Sequence, residues 1–418
     1  GAVVWTTATR MERGAAEEFE TVAINIADKI DRCMFERYGD VQAFGVNQIV
    51  QNKDNWYKTG DENPIVAAMN KYVELYGIYY LTILVDTDGK LISVNTKDAK
   101  KAAIDTAYLY QHDFSKEAWL ADAKAGKFHA NKESTITGTV VEPFYVDEEV
   151  KKVYRDEGYA IGFTAPVFND KGEIIAVWKN VAQLGVVEEI VFSSFKDLKG
   201  RGLTSATLTL LDAKGNVLVD CCPIAKGSEE IVRDTNVIGK LNLVEGKVEA
   251  AERVVAGETG AITSCLNSRR KVFQCAGFAP LRGVLGFSGM PWKMMVRVDR
   301  SQAFVSQAGL KSTWLYTALT ATVVICFASY FLGRSIAAPI QRTVNVLKDI
   351  AEGEGDLTRR LEATTTDEIG ELAKWFNQFV SRIEGVVGQI AGNAGSLTKA
   401  AGELSQTATD LSKGTNVS

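Results

Sequence analysis

Histidine is scarce in this chain: two residues, His112 and His129, among 418. Histidine-based acid–base catalysis and histidine-rich metal sites are therefore poorly supplied. The six cysteines, Cys33, Cys221, Cys222, Cys265, Cys275 and Cys326, include no C-x-x-C pair, which argues against a zinc ribbon or a thioredoxin-like redox motif. There is no dense Lys/Arg run and the net charge is −5, so a general nucleic-acid binder is not expected. The sequences G-x-S-x-G, H-E-x-x-H and G-x-x-x-x-G-K-S/T are all missing. Acid pairs such as Glu188-Glu189 and Glu229-Glu230 read as solvated faces rather than acid/base machinery. No catalytic residue, metal ligand or cofactor is expected, and the chain is not read as an enzyme. No start methionine or charged segment precedes Ala2-Val3-Val4-Trp5, so an intact signal peptide is not expected. Residues 1–10 read either as the outer end of a first membrane helix whose beginning is removed or as a frayed terminus.

What is present is globular in balance, with 46% hydrophobic and 24% charged residues, and long enough for two or three domains. Trp314 to Leu332, WLYTALTATVVICFASYFL, carries no charge. At about 1.5 Å per residue it reaches roughly 29 Å, the thickness of a bilayer core. Lys311 and Arg334 flank it, and Trp314, Tyr316 and Tyr330 lie near its ends, where aromatic belts form. A membrane helix over 313–333 is expected, and a buried soluble helix is the alternative.

Before that span, residues 11–65 read as a long amphipathic helix, with Phe19, Val22, Ala23, Ile26, Ile30, Cys33, Met34, Val41, Phe44 and Ile49 at three- and four-residue steps. Two similar blocks come after it. LTILVDTDGKLISVN and LTLLDAKGNVLVD are each strand, Asp/Gly turn, strand. Their separation of about 125 residues marks a duplicated α+β unit rather than a short solenoid repeat. Cys265 and Cys275 flank Asn267-Ser268-Arg269-Arg270, which reads as a hairpin turn, so a cross-strand disulfide and two free thiols are both open.

With GFTAPVFNDKGEIIAVW added, these stretches resemble the double Cache sensing domain of bacterial receptors over about Arg13 to Ala308. The resemblance implies tandem PAS-like sheets behind a long N-terminal helix: helix 11–65, a membrane-distal unit 66–190 and a proximal unit 191–308 within a domain 11–312. It also implies a ligand pocket on the concave face of the distal sheet. The stretch from His112 to Leu120 resembles the helix that closes such a pocket, with Trp119 on the family's tryptophan, and Tyr145 and Asp147 resemble its Tyr-x-Asp pair. Where amino-acid-binding members carry an arginine two residues before the tryptophan, this chain has Glu117, and the late acidic position falls at Asn180 or Val181. The amino-acid signature is thus broken. The candidate ligand-binding set is His112, Trp119, Tyr145, Asp147 and Asn180. Aromatic walls and a carboxylate suit a cationic or amine-bearing ligand. Against this, Trp178 and Trp119 can be core, and Asp147 a solvated loop acid beside Glu148 and Glu149.

After the span, Pro339, the connector GEGDLTRRL and the helix start DEIGEL resemble a HAMP linker over 334–386, with Pro339, Asp367, Glu368 and Gly370 as its signalling residues. Ile369, Phe376, Ile383, Ile390, Leu397, Leu404 and Leu411 recur every seven residues. Their partners lie three residues on at Leu372, Phe379 and Val386, then four residues on at Val387, Ala394, Ala401 and Ala408. This phase change is equivalent to a stutter between two stacked coiled coils, and such a junction is expected to be bistable. Heptads need a partner, a homodimer being simplest. Residues 387–418 resemble the start of a methyl-accepting signalling helix. The resemblance implies a chemotaxis receptor in the inner membrane, its sensing domain periplasmic or extracellular. It would bind a small molecule and act, through the HAMP domain and coil in the cytoplasm, on a histidine kinase and its coupling protein. A sensor histidine kinase or diguanylate cyclase with the same front end is the runner-up, although no histidine comes after the span. A tethered binding protein without signalling comes third.

Overall fold

The computed structural model describes residues 2–222, 227, 230–267, 270–352, 355–362 and 366–414. The chain divides into two units, Gly1–Gly309 and Leu310–Ser418.

The first unit is organised by helix α1 (Ala2–Gly45). Its buried row, Ala16, Phe19, Ala23, Ile26, Ile30, Met34, Tyr38, Val41 and Phe44, keeps to the helical repeat, so one stripe faces a core along its length. The helix expected to reach residue 65 stops at Gly45. Beyond it, three asparagines interrupt the helical pattern: Asn47, Asn52 and Asn63 accept backbone N–H groups from Ile49, Asp54 and Ile65 and so start separate short elements. The last of these is α2 (Pro64–Tyr76), with proline in its first turn.

Two five-stranded antiparallel sheets make up the rest of the unit. The first contains β1 (Tyr79–Asp86), β2 (Leu91–Val94), β3 (Val140–Val146), β4 (Tyr159–Phe168) and β5 (Ile174–Gln183), in the order β2-β1-β5-β4-β3. Helices α3 (Ala118–Lys124) and α4 (Glu148–Tyr154) flank β3 in sequence. Helix α5 (Gly185–Gly200) leads to the second sheet. This holds β6 (Thr207–Leu211), β7 (Val217–Cys221), β8 (Gly260–Asn267), β9 (Val272–Pro280) and β10 (Lys293–Asp299), in the order β7-β6-β10-β9-β8, with α6 (Glu249–Val255) before β8. The two orders are the same when read from each unit's first strand. The duplication legible in the sequence is thus a duplication of topology, and the architecture is a tandem PAS-like α+β fold.

One core runs through the unit: α1, the inner faces of both sheets and the buried side of α5 (Val187, Val191, Phe195, Leu198). The outer face of each sheet carries its own smaller cluster. Helix α1 lies so close to β9 that a Cβ at Gly277 would overlap the backbone of Phe19 and Glu20, which is why glycine stands there. Cys265 pairs in register with Gln274, so Cys275 is one step along and points to the opposite face. Cys265 belongs to the outer cluster and Cys275 to the central core. The strand alternation therefore separates the two sulfurs, and both are free thiols.

The second unit contains most of α7 (Val305–Glu352) and all of α8 (Glu368–Gly414). From Leu315 onward α7 has a stretch of mean hydropathy 1.8, none of it buried, and it is long and apolar enough to cross a membrane. The side chains of Trp314 and Leu411 lie outside the described residues.

Asp31, on the buried stripe of α1, supplies a test of this packing. Its Oδ2 accepts the backbone N–H groups of Arg282 and Gly283 at 3.0 and 2.7 Å, while Oδ1 is buried without a partner. Burial outweighs those hydrogen bonds and pushes its pKa up from 3.8 to about 6. Between these values the folded state holds more protons than the unfolded one, so stability falls as pH rises through the window and is level above it. Asp31→Asn is expected to remove a fall of about 2–3 kcal/mol between pH 4 and 6. Urea denaturation at several pH values checks this, and a wild-type profile that is flat from 4 to 6 would rule it out.

Candidate functional site

Strand β5 carries a charge where its neighbours are apolar. Side chains alternate along a strand. Ala176, Trp178, Asn180 and Ala182 therefore face α1, and Val177, Lys179 and Val181 face outward among the distal cluster. The side chain of Lys179 is 5% exposed. Its Nζ lies 2.5 Å from Glu142 Oε2, 5.0 Å from the Trp119 ring centre and 4.8 Å from that of Tyr145. A buried ammonium is thus held by one carboxylate and two aromatic faces.

The loop before α3 places Trp119. Asp113 accepts the N–H of Ser115, and Phe114 N–H donates to the Gly89 carbonyl in the β1–β2 turn. Phe114 packs against Trp119 at 6.0 Å and against the His112 ring at 4.4 Å. His112 itself is at the rim, its Nε2 3.7 Å from Glu117 Oε1. Tyr145 is half-buried on β3 and donates its hydroxyl proton to Asp147 Oδ2 at 3.1 Å. Burial, with the charges of Asp147 and Glu142 added, holds that phenol far above its ordinary pKa. Asp147 is the N-cap of α4: its Oδ1 accepts the N–H of Val150 at 2.9 Å.

Trp119 and Tyr145 therefore meet around Lys179, with Asp147 behind Tyr145 and His112 at the edge. Asn180 does not join them. It faces the central core, where its Oδ1 accepts from Trp178 Nε1 at 2.8 Å, and Val181 takes the outward place. The strand alternation corrects that assignment. Trp178 is core, fully buried beside Phe44 and Tyr72. The expected open cation-binding box also changes character, because a cation from the chain itself already occupies it. Lys179, Glu142 and Thr164 escaped the sequence reading. The signal available was a single charge in the middle of IIAVWKNVAQ.

The matching face of the proximal sheet is filled differently. Arg270 makes a two-pronged bond to Asp299 at 2.9 and 2.6 Å, Gln274 donates to Asp299, and Asn267 donates to Gln274. Arg297 donates to Thr209. The space left beside these groups is about 20 Å³, roughly one water.

In the second unit, Asp367 caps α8, its carboxylate accepting the N–H of Gly370 at 3.2 Å, and Glu368 lies exposed in the first turn where the helix dipole favours an acid. Asn377 clamps the connector from both sides, accepting the N–H of Leu361 and donating to its carbonyl, each at 2.8 Å. Arg360 reaches Glu384 and Ser381. Pro339 lies inside the continuous helix α7; the chain absorbs it without a break, and the Thr343 hydroxyl donates to its carbonyl. On α8, Ala373, Phe376 and Val380 are buried, while Leu372, Phe379, Ile383, Val386 and Ile390 are exposed. Ile336, Ile340, Val344 and Leu347 on α7 are exposed too.

Residues 331–385 match the HAMP domain family. The methyl-accepting chemotaxis protein PctB of Pseudomonas aeruginosa is 39% identical over 106 residues, 25% of this chain and 16% of that protein. The methyl-accepting chemotaxis protein McpA of Pseudomonas putida is 27% identical over 235 residues, 56% of this chain and 32% of that protein. The matches thus span between a sixth and a third of those relatives. Among solved structures, the ligand-binding domain of the amino acid chemoreceptor PctC of Pseudomonas aeruginosa superposes with a TM-score of 0.41 at 15% identity, covering 68% of this chain and 99% of that one. The chain carries a HAMP domain, and its relatives are methyl-accepting chemotaxis proteins.

The capping role of Asp147 is open to direct test. Asp147→Ala is expected to cost about 1 kcal/mol and Asp147→Ser much less, because serine still caps. Thermal unfolding of the two variants checks this, and an unchanged midpoint for the alanine variant would show that the carboxylate is a solvated loop acid.

Proposed function

We propose that this chain is the sensing and relay portion of a transmembrane chemoreceptor, with the domain boundaries expected from its sequence except that the long helix ends at Gly45. The distal unit, 66–190, binds a small solute on its outer sheet face around Trp119 and Tyr145. The apolar segment 313–333 crosses the inner membrane, the sensing unit lies outside, and the HAMP domain with the coil after it is cytoplasmic. The observation that carries this reading is the HAMP match at 331–385, directly after an apolar segment of spanning length that itself comes after a tandem sensor fold.

The relay is mechanical, and no bond is made or broken. Two copies would cover the apolar rows that a single chain leaves exposed, Ile336 to Leu347 on α7 and Leu372, Phe379 and Val386 on α8. The phase change between Ile383 and Ile390 prevents both coils from packing ideally at once, so a ligand that favours one arrangement biases the other. Coupling of this kind is typically about 1–3 kcal/mol. The output is a histidine kinase and its coupling protein, reached through the signalling coil that residues 387–418 begin.

Binding only to the folded state raises stability by about 2.7 kcal/mol at a hundred times Kd. The chain in lipid nanodiscs, screened by thermal shift against amino acids, amines, organic acids and purines, is expected to give a hit that Trp119→Ala abolishes. A hit indifferent to Trp119→Ala would place the site elsewhere. Dimerisation is checked separately by oxidative cross-linking in a Cys326→Ala background. Phe379→Cys is expected to cross-link efficiently and Lys374→Cys poorly, and equal yields would refute the proposed seam.

A further inference from the structure

We infer that the distal unit selects a small organic anion, a solute whose carboxylate takes the place of Glu142 against the ammonium of Lys179. The inference rests on the reading that the outer face of the distal sheet is the ligand site.

Lys179 is the fixed member of the pair. It stands mid-strand on β5, the central strand of its sheet, nearly fully buried, with Trp119 and Tyr145 packed on its ammonium. A charge in such a place needs a counter-ion, because leaving it unpaired costs far more than the pair itself contributes. Glu142 is the movable member. It belongs to the edge strand β3, its side chain is 31% exposed, and the β3–β4 ladder shifts register between Glu142 and Tyr145. Its carboxylate sits over Gly162, in a space that any Cβ there would fill. Rotating Glu142 outward exposes it to water and opens that space beside Lys179.

The vacated position has a second donor waiting. Thr164 is the register neighbour of Lys179 on β4 and faces the same side. Its hydroxyl is fully buried and makes no hydrogen bond among the described residues. A carboxylate in the place of Glu142 could take one bond from Lys179 and one from Thr164, leaving its hydrocarbon part between Trp119 and Tyr145. An amine has the opposite problem. It would have to displace an ammonium that is nearly fully buried on the central strand, whereas Glu142 stands on the edge strand and is partly in water.

The test uses the whole chain in nanodiscs and isothermal titration with acetate, propionate, succinate and benzoate, set against propylamine and putrescine. At least one acid is expected to bind. Lys179→Met should weaken it by about tenfold or more, Lys179→Arg should restore most of the affinity, and Glu142→Gln, which removes the internal competitor, should tighten it about threefold or more. Melting curves of each variant, with the arginine variant as the charge-retaining control, separate lost binding from lost folding. Failure of every acid to bind would overturn the inference, as would acid binding that survives Lys179→Met. If an amine binds instead, tightens with Lys179→Met and is lost with Trp119→Ala, the inference fails while the site reading stands. If a ligand binds and Trp119→Ala and Lys179→Met both leave it unaffected, the site reading fails as well.

Discussion

The sensing unit depends on one packing arrangement: a single helical stripe buried against the inner faces of two sheets. Ala16 through Phe44 repeat at helical spacing and meet both β4–β5 and β9–β10. The same contact makes one core out of two duplicated domains. It also settles which sheet faces remain available, because the faces against α1 are spent on packing. Small residues mark the closest approach, and Gly277 against Phe19 is where the fit is tightest. Asp31 is the exception on the stripe, a carboxylate that holds the Arg282–Gly283 turn against the helix and raises its own pKa by being there.

With the inner faces occupied, chemistry falls to the outer ones, and the two are not equivalent. The proximal face closes on itself, with Arg270 matched to Asp299 and Arg297 to the Thr209 hydroxyl. The distal face holds a lysine whose partner lies on an edge strand and is partly in water. The two outer faces thus differ in which strand supplies the counter-ion: Asp299 lies within the proximal sheet, and Glu142 on the edge of the distal one.

The second unit obeys another logic. Its connector is tied down within the chain by Asn377 and Arg360, and Phe376 and Val380 bury locally. The rows that carry the heptads are largely left open. A helix pair built in this way is ordered locally and leaves its apolar rows uncovered within one chain.

The sequence by itself determined the order of elements, the duplication, the apolar span and the HAMP segment. These rest on local or periodic signals: Asp/Gly turns between apolar runs, an uncharged stretch of membrane length, acids opening a helix, and a seven-residue repeat. By resemblance it also singled out Trp119 and Tyr145, which the structure brings together on either side of Lys179. Only the tertiary structure decided where α1 ends, since the asparagine caps compete with a helical pattern that continues through them. It alone turned Asn180 to the core and Lys179 to the outer face, because a one-residue step along a strand changes the face and nothing local fixes the register. It alone separated Cys265 from Cys275 for the same reason. The pairing of Lys179 with Glu142, across 37 residues and two strands, was likewise beyond any local signal. The charge in the middle of an apolar strand is visible in the sequence, but only the tertiary structure shows that Trp119, Tyr145 and Glu142 surround it.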